Sequence, residues 1–183
     1  GWDGVIEGRW QVLDVEAMRG DLARGGTMLG TSRVHPWMTD DGVERARATL
    51  LDVGLDALIV IGGEGSLATA HRAHTEGIVP VVGVPKTIDN DLAHTDHSPG
   101  YGSAARFVAM AAMGAGRDAE AMGAESPITV IEVMGRDAGW LAASAALAKR
   151  DERDAPHVIC VPEVPVDENR FVGLVENACR RFG

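Results

Sequence analysis

At 183 residues and 45% hydrophobic content, the chain has the length of one domain, or a large piece of one, and can fill a sizeable core. Its formal net charge of −10 argues against general nucleic-acid binding, which relies on Lys and Arg neutralising phosphates, but leaves room for phosphorylated small molecules held by a locally basic site or a metal. Two cysteines, Cys160 and Cys179, build no disulfide scaffold and fit a reduced, cytoplasmic setting, and no apolar run has the length or flanks of a signal peptide or membrane span.

In chain order, Gly1 to Gly8 is Gly-rich, Trp10 to Leu13 suits a short strand, and Val15 to Arg24 a short helix. A Gly-rich loop, Gly25 to Arg33, ends on a cation. Asp40 to Leu55 reads as a helix capped by Thr39 or Asp40, with Val43, Ala46, Leu50 and Leu51 on its apolar side. Asp56 to Ile61 is a continuous apolar run and predicts a strand buried on both faces. Gly62-Gly63-Glu64-Gly65-Ser66 then turns into a helix from about Leu67 to Glu76.

Glycines at a strand–helix joint let backbone N–H groups approach a phosphate, and the helix presents its positive end. Glu64 is odd in an anion cradle unless a divalent cation lies between, so Mg²⁺ is the fitting ion. Gly-rich turns are also common at such joints for purely structural reasons.

Val79 to Val84 predicts the next buried strand, ended by Pro85. Lys86-Thr87-Ile88-Asp89-Asn90-Asp91 follows, a cation, a hydroxyl and two carboxylates in one turn. Open α/β sheets bind ligands at the carboxyl ends of their strands. A carboxylate there can take a proton from a substrate hydroxyl while its neighbour orients or holds a metal, although an Asx-rich turn capping a helix has the same composition. His94 and His97 flank this loop without metal-site spacing.

A helix is expected from Gly102 to about Met122, with Asp118 and Glu120 on its solvated face. Pro127 to Val133 predicts a third strand, followed by Met134-Gly135-Arg136-Asp137-Ala138-Gly139 and an Ala-rich helix from Trp140 to Lys149. Arg136 offers a planar fork for phosphate, or a plain ion pair with Asp137. His157 to Val161 predicts a fourth strand, burying Cys160, before Pro162-Glu163, and an amphipathic helix from Asp167 carries Phe171, Leu174, Val175 and Ala178. This alternation indicates an α/β fold, a doubly wound three-layer sandwich with a mostly parallel sheet.

The loop PKTIDND at Pro85 to Asp91 resembles the signature of the phosphofructokinase family. GGTMLGTSR, GGEGS, MGR and the PE pair are similar to four further family segments in the same order, with Glu64 standing where the family has Asp. The resemblance implies phosphoryl transfer from ATP to the 1-hydroxyl of fructose 6-phosphate in glycolysis, with Mg²⁺. It implies Asp89 as base, with Thr87, Asp91 and Arg136 completing the catalytic set. Arg33, Gly63, Glu64, Gly65, Ser66 and Lys86 would bind the nucleotide, and Glu64 and Asp91 the metal. Thr87, Ile88, Asp89, Met134, Gly135, Arg136 and Glu163 would bind the sugar phosphate.

In the family, Gly at the position of Gly65 accompanies ATP use, whereas Lys at the position of Lys86 accompanies pyrophosphate use. ATP is expected here, with a pyrophosphate-dependent enzyme or a non-catalytic binding fragment as alternatives. Lipid and dinucleotide kinases share only the Gly-rich acidic loop. Pro127 stands near where many members place an Arg donated to a neighbouring subunit. Residues 1–183 are expected to be a nucleotide-binding domain plus the start of a sugar-phosphate domain, incomplete at both ends, and the full-length protein a homo-oligomer, dimer or tetramer, with no nucleic-acid or membrane partner.

Overall fold

A computed structural model describes residues 1–182. The chain divides into two compact units, Gly1–Val84 and Pro85–Gly183. In the first, helix α1 spans Trp2–Ile6 and α2 Gly42–Val53. Strand β1, Leu58–Gly62, leads into α3, Glu64–Thr75, and on to β2, Val81–Pro85, which pairs with β1. In the second, α4 spans Tyr101–Met122, α5 Trp140–Ser144 and α6 Glu168–Phe182.

The first unit is built on the β1–α3–β2 crossover. Helix α3 turns Ala70 and Ala73 inward, and their small side chains let it lie close over Leu58, Val60 and Val81, with Trp2 closing the cluster. The pleat sends alternate residues the other way. Ile59 is therefore 67% exposed and Ile61 63%, and β1 is covered on one face, not two as expected. Helix α2 buries Ala46 and Leu50, one turn apart, as its periodicity predicts, but it is shorter than the expected Asp40 to Leu55: Asp41, in place of Thr39 or Asp40, stands at its start without a side-chain cap, and Gly54 in the left-handed region ends it. Leu51, assigned to that apolar side, is exposed. Trp37 docks under α3: its indole N–H donates to Glu76, and the Arg72 guanidinium lies 4.4 Å over its ring.

In the second unit α4 buries Ala105 and Ala112 against α5 and the 3₁₀ turn Ala145–Ala148. Leu141, Ser144 and Ala148 fill that contact, and the Ser144 hydroxyl donates to the Leu141 carbonyl at 2.6 Å. Asp167 caps α6 by accepting from the Arg170 N–H at 2.8 Å.

Several expected elements differ. Trp2–Ile6 is a helix in a segment read only as Gly-rich, and 15–24 holds turns and one 3₁₀ turn in place of a helix. Residues 10–13, 127–133 and 157–161 join no ladder, and Cys160 is exposed. A strand exists only through its partner, and a run of apolar, β-branched residues reports the fit to a pleated surface without supplying the neighbour. The crossover at β1–α3–β2 has both strands within a few turns of chain, so it forms.

Candidate active site

The second unit carries the loop from Lys86 to Gly100, at the carboxyl end of β2. Its neck is closed where the Thr87 N–H donates to the Pro99 carbonyl at 3.1 Å and Thr87 bridges Gly100. The Thr87 side chain is buried, and its hydroxyl oxygen accepts from the Asp89 N–H at 3.1 Å. Thr87 thus holds the backbone of the residue whose carboxylate matters.

Halfway along, Asn90 takes a left-handed turn, φ 55°, which short polar side chains tolerate. Its amide oxygen accepts from the Ser98 N–H at 2.8 Å, and its amide NH₂ donates to the Asp96 carbonyl at 3.3 Å. Ser98 is fully buried.

The Asp89 carboxylate is part-buried, and its Oδ1 is shielded from solvent with no hydrogen-bond partner. Burial pushes its pKa above the ordinary 3.8, the neighbouring Asp91 carboxylate adds to the rise, and Lys86 opposes it. Asp91, Lys86 and Ile88 are exposed. The loop therefore sets one restrained, hard-to-ionise carboxylate beside one solvated carboxylate and a cation.

Two further predicted segments meet in the same unit. Gly139 lies against the Pro162-Glu163 turn, its N–H donating to Glu163 Oε1 at 2.7 Å. A Cβ on Gly139 would stand 2.5 Å from Val161 Cβ and 2.6 Å from Glu163 Oε2, so this approach requires glycine. One Glu163 oxygen is thus committed to backbone. Ahead of it, Gly135 turns at φ 107°, and Met134 and Arg136 are exposed. The Arg136 guanidinium is 92% exposed and pairs with Asp137 at 3.1 Å, the bland alternative for this side chain and a weak restraint at that exposure. Tyr101 links the two loops, with His97 edge-on to its ring and its hydroxyl 3.4 Å from the Trp140 carbonyl.

In the first unit, Gly63 precedes α3 and Glu64 is its first residue, exposed in the first turn where a carboxylate suits the helix dipole. Gly62 and Gly65 differ in what they require. A Cβ on Gly62 would come within 2.6 Å of Ser66, whereas one on Gly65 would meet nothing within 4 Å. Gly62 is needed for packing, and Gly65 leaves open space. Arg33 is exposed on the loop before the 3₁₀ turn Pro36–Met38.

Among the described residues no three His, Cys, Asp or Glu side chains form a metal cluster. The carboxylates that are present fit Mg²⁺ as substrate sites use it, with one or two protein oxygens completed by phosphates and water. Asn90, Ser98 and Gly139 escaped the sequence reading. Asn between two aspartates was the available signal for the first, since it is the residue best suited to a left-handed turn there.

The family profile described as Phosphofructokinase matches residues 1–182. The chain is 44% identical to ATP-dependent 6-phosphofructokinase 3 of Streptomyces coelicolor over all of its own length and 52% of that protein's. It is also 44% identical to the pyrophosphate–fructose 6-phosphate 1-phosphotransferase of Amycolatopsis methanolica, again over all of its length and 50% of that protein's. Among solved structures, phosphofructokinase from Saccharomyces cerevisiae superposes with a TM-score of 0.73 at 30% identity, over 99% of this chain and 26% of that one. The pyrophosphate-dependent phosphofructokinase from Marinobacter aquaeolei gives 0.66 at 34% identity, over 86% and 41%. The chain spans about half the length of the curated relatives it matches.

Proposed function

The chain belongs to the phosphofructokinase family, with its α/β fold, and from that premise we propose that the protein transfers the γ-phosphoryl group of ATP to the 1-hydroxyl of fructose 6-phosphate, giving fructose 1,6-bisphosphate. The observation that carries the reading is the Asp89 carboxylate: shielded, without a hydrogen-bond partner at Oδ1, and harder to ionise than an ordinary Asp. An unpartnered carboxylate oxygen has its lone pairs available for a hydroxyl proton, and a raised pKa makes it a better acceptor near neutral pH.

In this reading Asp89 removes the proton from the sugar hydroxyl. Thr87 fixes the backbone of Asp89, and Asp91 raises its basicity. Arg136 leaves its exposed pairing with Asp137 for phosphate oxygens, where a planar fork makes two charge-assisted bonds. Arg33 adds charge from the Gly-rich loop. Gly63, Gly65 and Ser66 approach the nucleotide, while Met134, Gly135 and Glu163 shape the sugar side with Ile88. Glu64 and Asp91 would hold Mg²⁺, which neutralises phosphate charge when bound. Phosphoryl transfer depends chiefly on positioning and electrostatics, so these residue types suffice.

We read residues 1–183 as a nucleotide-binding domain with the start of a sugar-phosphate domain, working in the cytoplasm within a homo-oligomer. Lys86 beside Asp89, and relatives of both donor types at equal identity, favour pyrophosphate as the second reading of the donor. A coupled assay of the protein as naturally made, run at saturation with each donor, decides. Faster turnover with pyrophosphate overturns ATP, and binding without turnover for either donor overturns the enzyme reading.

A further inference from the structure

We propose that Asn90 is the positioning residue that fixes the direction of the Asp89 carboxylate, a role that rests on the reading of Asp89 as the base. The carboxylate cannot be aimed by its own bonds, because Oδ1 makes none. Its direction is inherited from the backbone on either side. On the amino side the Thr87 hydroxyl holds the Asp89 N–H. On the carboxyl side the chain reverses at Asn90, φ 55°, and the Asn90 side chain pins that reversal to the returning strand of the loop. It does so at two points, the Ser98 N–H at 2.8 Å and the Asp96 carbonyl at 3.3 Å.

The returning strand is itself fixed, since Pro99 and Gly100 close the neck against Thr87. Asp89 thus sits between two side-chain anchors inside a loop closed at its base. The Asn90 side chain is buried and uses both ends of its amide within the loop, so it is not offered to a ligand. Extended backbone would set Asp89 and Asp91, two residues apart, on the same face; the left-handed turn at Asn90 between them departs from that extended geometry.

Asn90→Gly separates conformation from the anchor, because Gly keeps the left-handed turn and deletes the side chain. Misplacing a reacting group by about an ångström costs about 10²-fold. In the protein as naturally made, Asn90→Gly is therefore expected to lower kcat by about 10- to 100-fold, with KM for both substrates changed no more than about threefold. If Asn90 acts through Asp89, its loss is not multiplicative, and adding Asn90→Gly to Asp89→Asn lowers kcat by less than about twofold more.

The proposal is overturned by kcat near the parent's in Asn90→Gly, or by full multiplicative loss in the double variant. It is overturned without any variant if the Ser98 amide of the parent exchanges hydrogen as fast as an unstructured one. Near-normal kcat in Asp89→Asn alone would instead sink the base reading, in an arm that contains no change at Asn90.

Discussion

Asp89→Asn keeps the size and shape of the side chain, so it tests charge and proton acceptance with little else altered. In the parent, burial and then the Asp91 carboxylate hold the Asp89 pKa above 3.8, with Lys86 opposing them. A carboxyl whose folded pKa lies above its unfolded value contributes stability that is fully present below the unfolded pKa. That contribution is lost as pH rises through the folded one. At neutral pH the ionised Asp89 is therefore a cost to the fold, and Asn removes it. Two results are expected together. The rate constant kcat falls by about 10²- to 10⁴-fold, the range of general-base contributions, with KM changed much less. In chelator, the Tm of the Asn variant at pH 7 equals or exceeds the parent's, and the gap closes as pH drops to about the ordinary carboxylate value. A coupled spectrophotometric assay and thermal melts across pH read both. Near-normal kcat would refute the assignment of the base. A variant with lower Tm at pH 7 and no convergence in acid would refute the electrostatic account.

Arg136→Ala should leave the Tm nearly unchanged, since its exposed pair with Asp137 holds little, while KM for fructose 6-phosphate rises about 10- to 100-fold through loss of a charged hydrogen bond. Gly139→Ala should destabilise the fold by about 1–3 kcal/mol, measured by denaturant titration, because the added methyl meets Val161 and Glu163 inside van der Waals distance. Gly65→Asp should abolish turnover with ATP while the Tm holds, because the protein leaves that position open; retained ATP turnover, measured against pyrophosphate in parallel, would count against the donor assignment.

Local signals were legible where a structural feature is made by nearby residues. Helix α2 buries Ala46 and Leu50 at the expected spacing, α4 begins within a residue of its expected start, and α6 begins one residue after Asp167, where the amphipathic run was expected to start. The loop after β2 was legible as chemistry, because a cation, a hydroxyl and two carboxylates in one turn have few uses. Its construction was not, since Asn90 bonds to residues six and eight positions away and Thr87 to Pro99. Strands were the least legible. The runs 56–61 and 127–133 both read as apolar strands, yet only the first region pairs, because α3 returns the chain to β2 beside β1. Burial on both faces was overstated for the same reason: a sequence run carries no record of what covers it.

The donor question shows why residue-level geometry carries more weight here than overall likeness. Relatives named for ATP and for pyrophosphate stand at the same 44% identity, so the global score is silent. Two local residues remain. Lys86 is exposed beside Asp89 and can serve any phosphate as a point charge, so it excludes neither donor. Gly65 lies in the first turn of α3, where neither backbone conformation nor a neighbouring atom requires glycine. A side chain at this position would extend into the open space at the helix start. In the proposed reading the extra phosphate of a nucleotide takes that room. Lys86 thus admits either donor, and Gly65 keeps open a space that a side chain would close, which is why the proposed reading favours ATP.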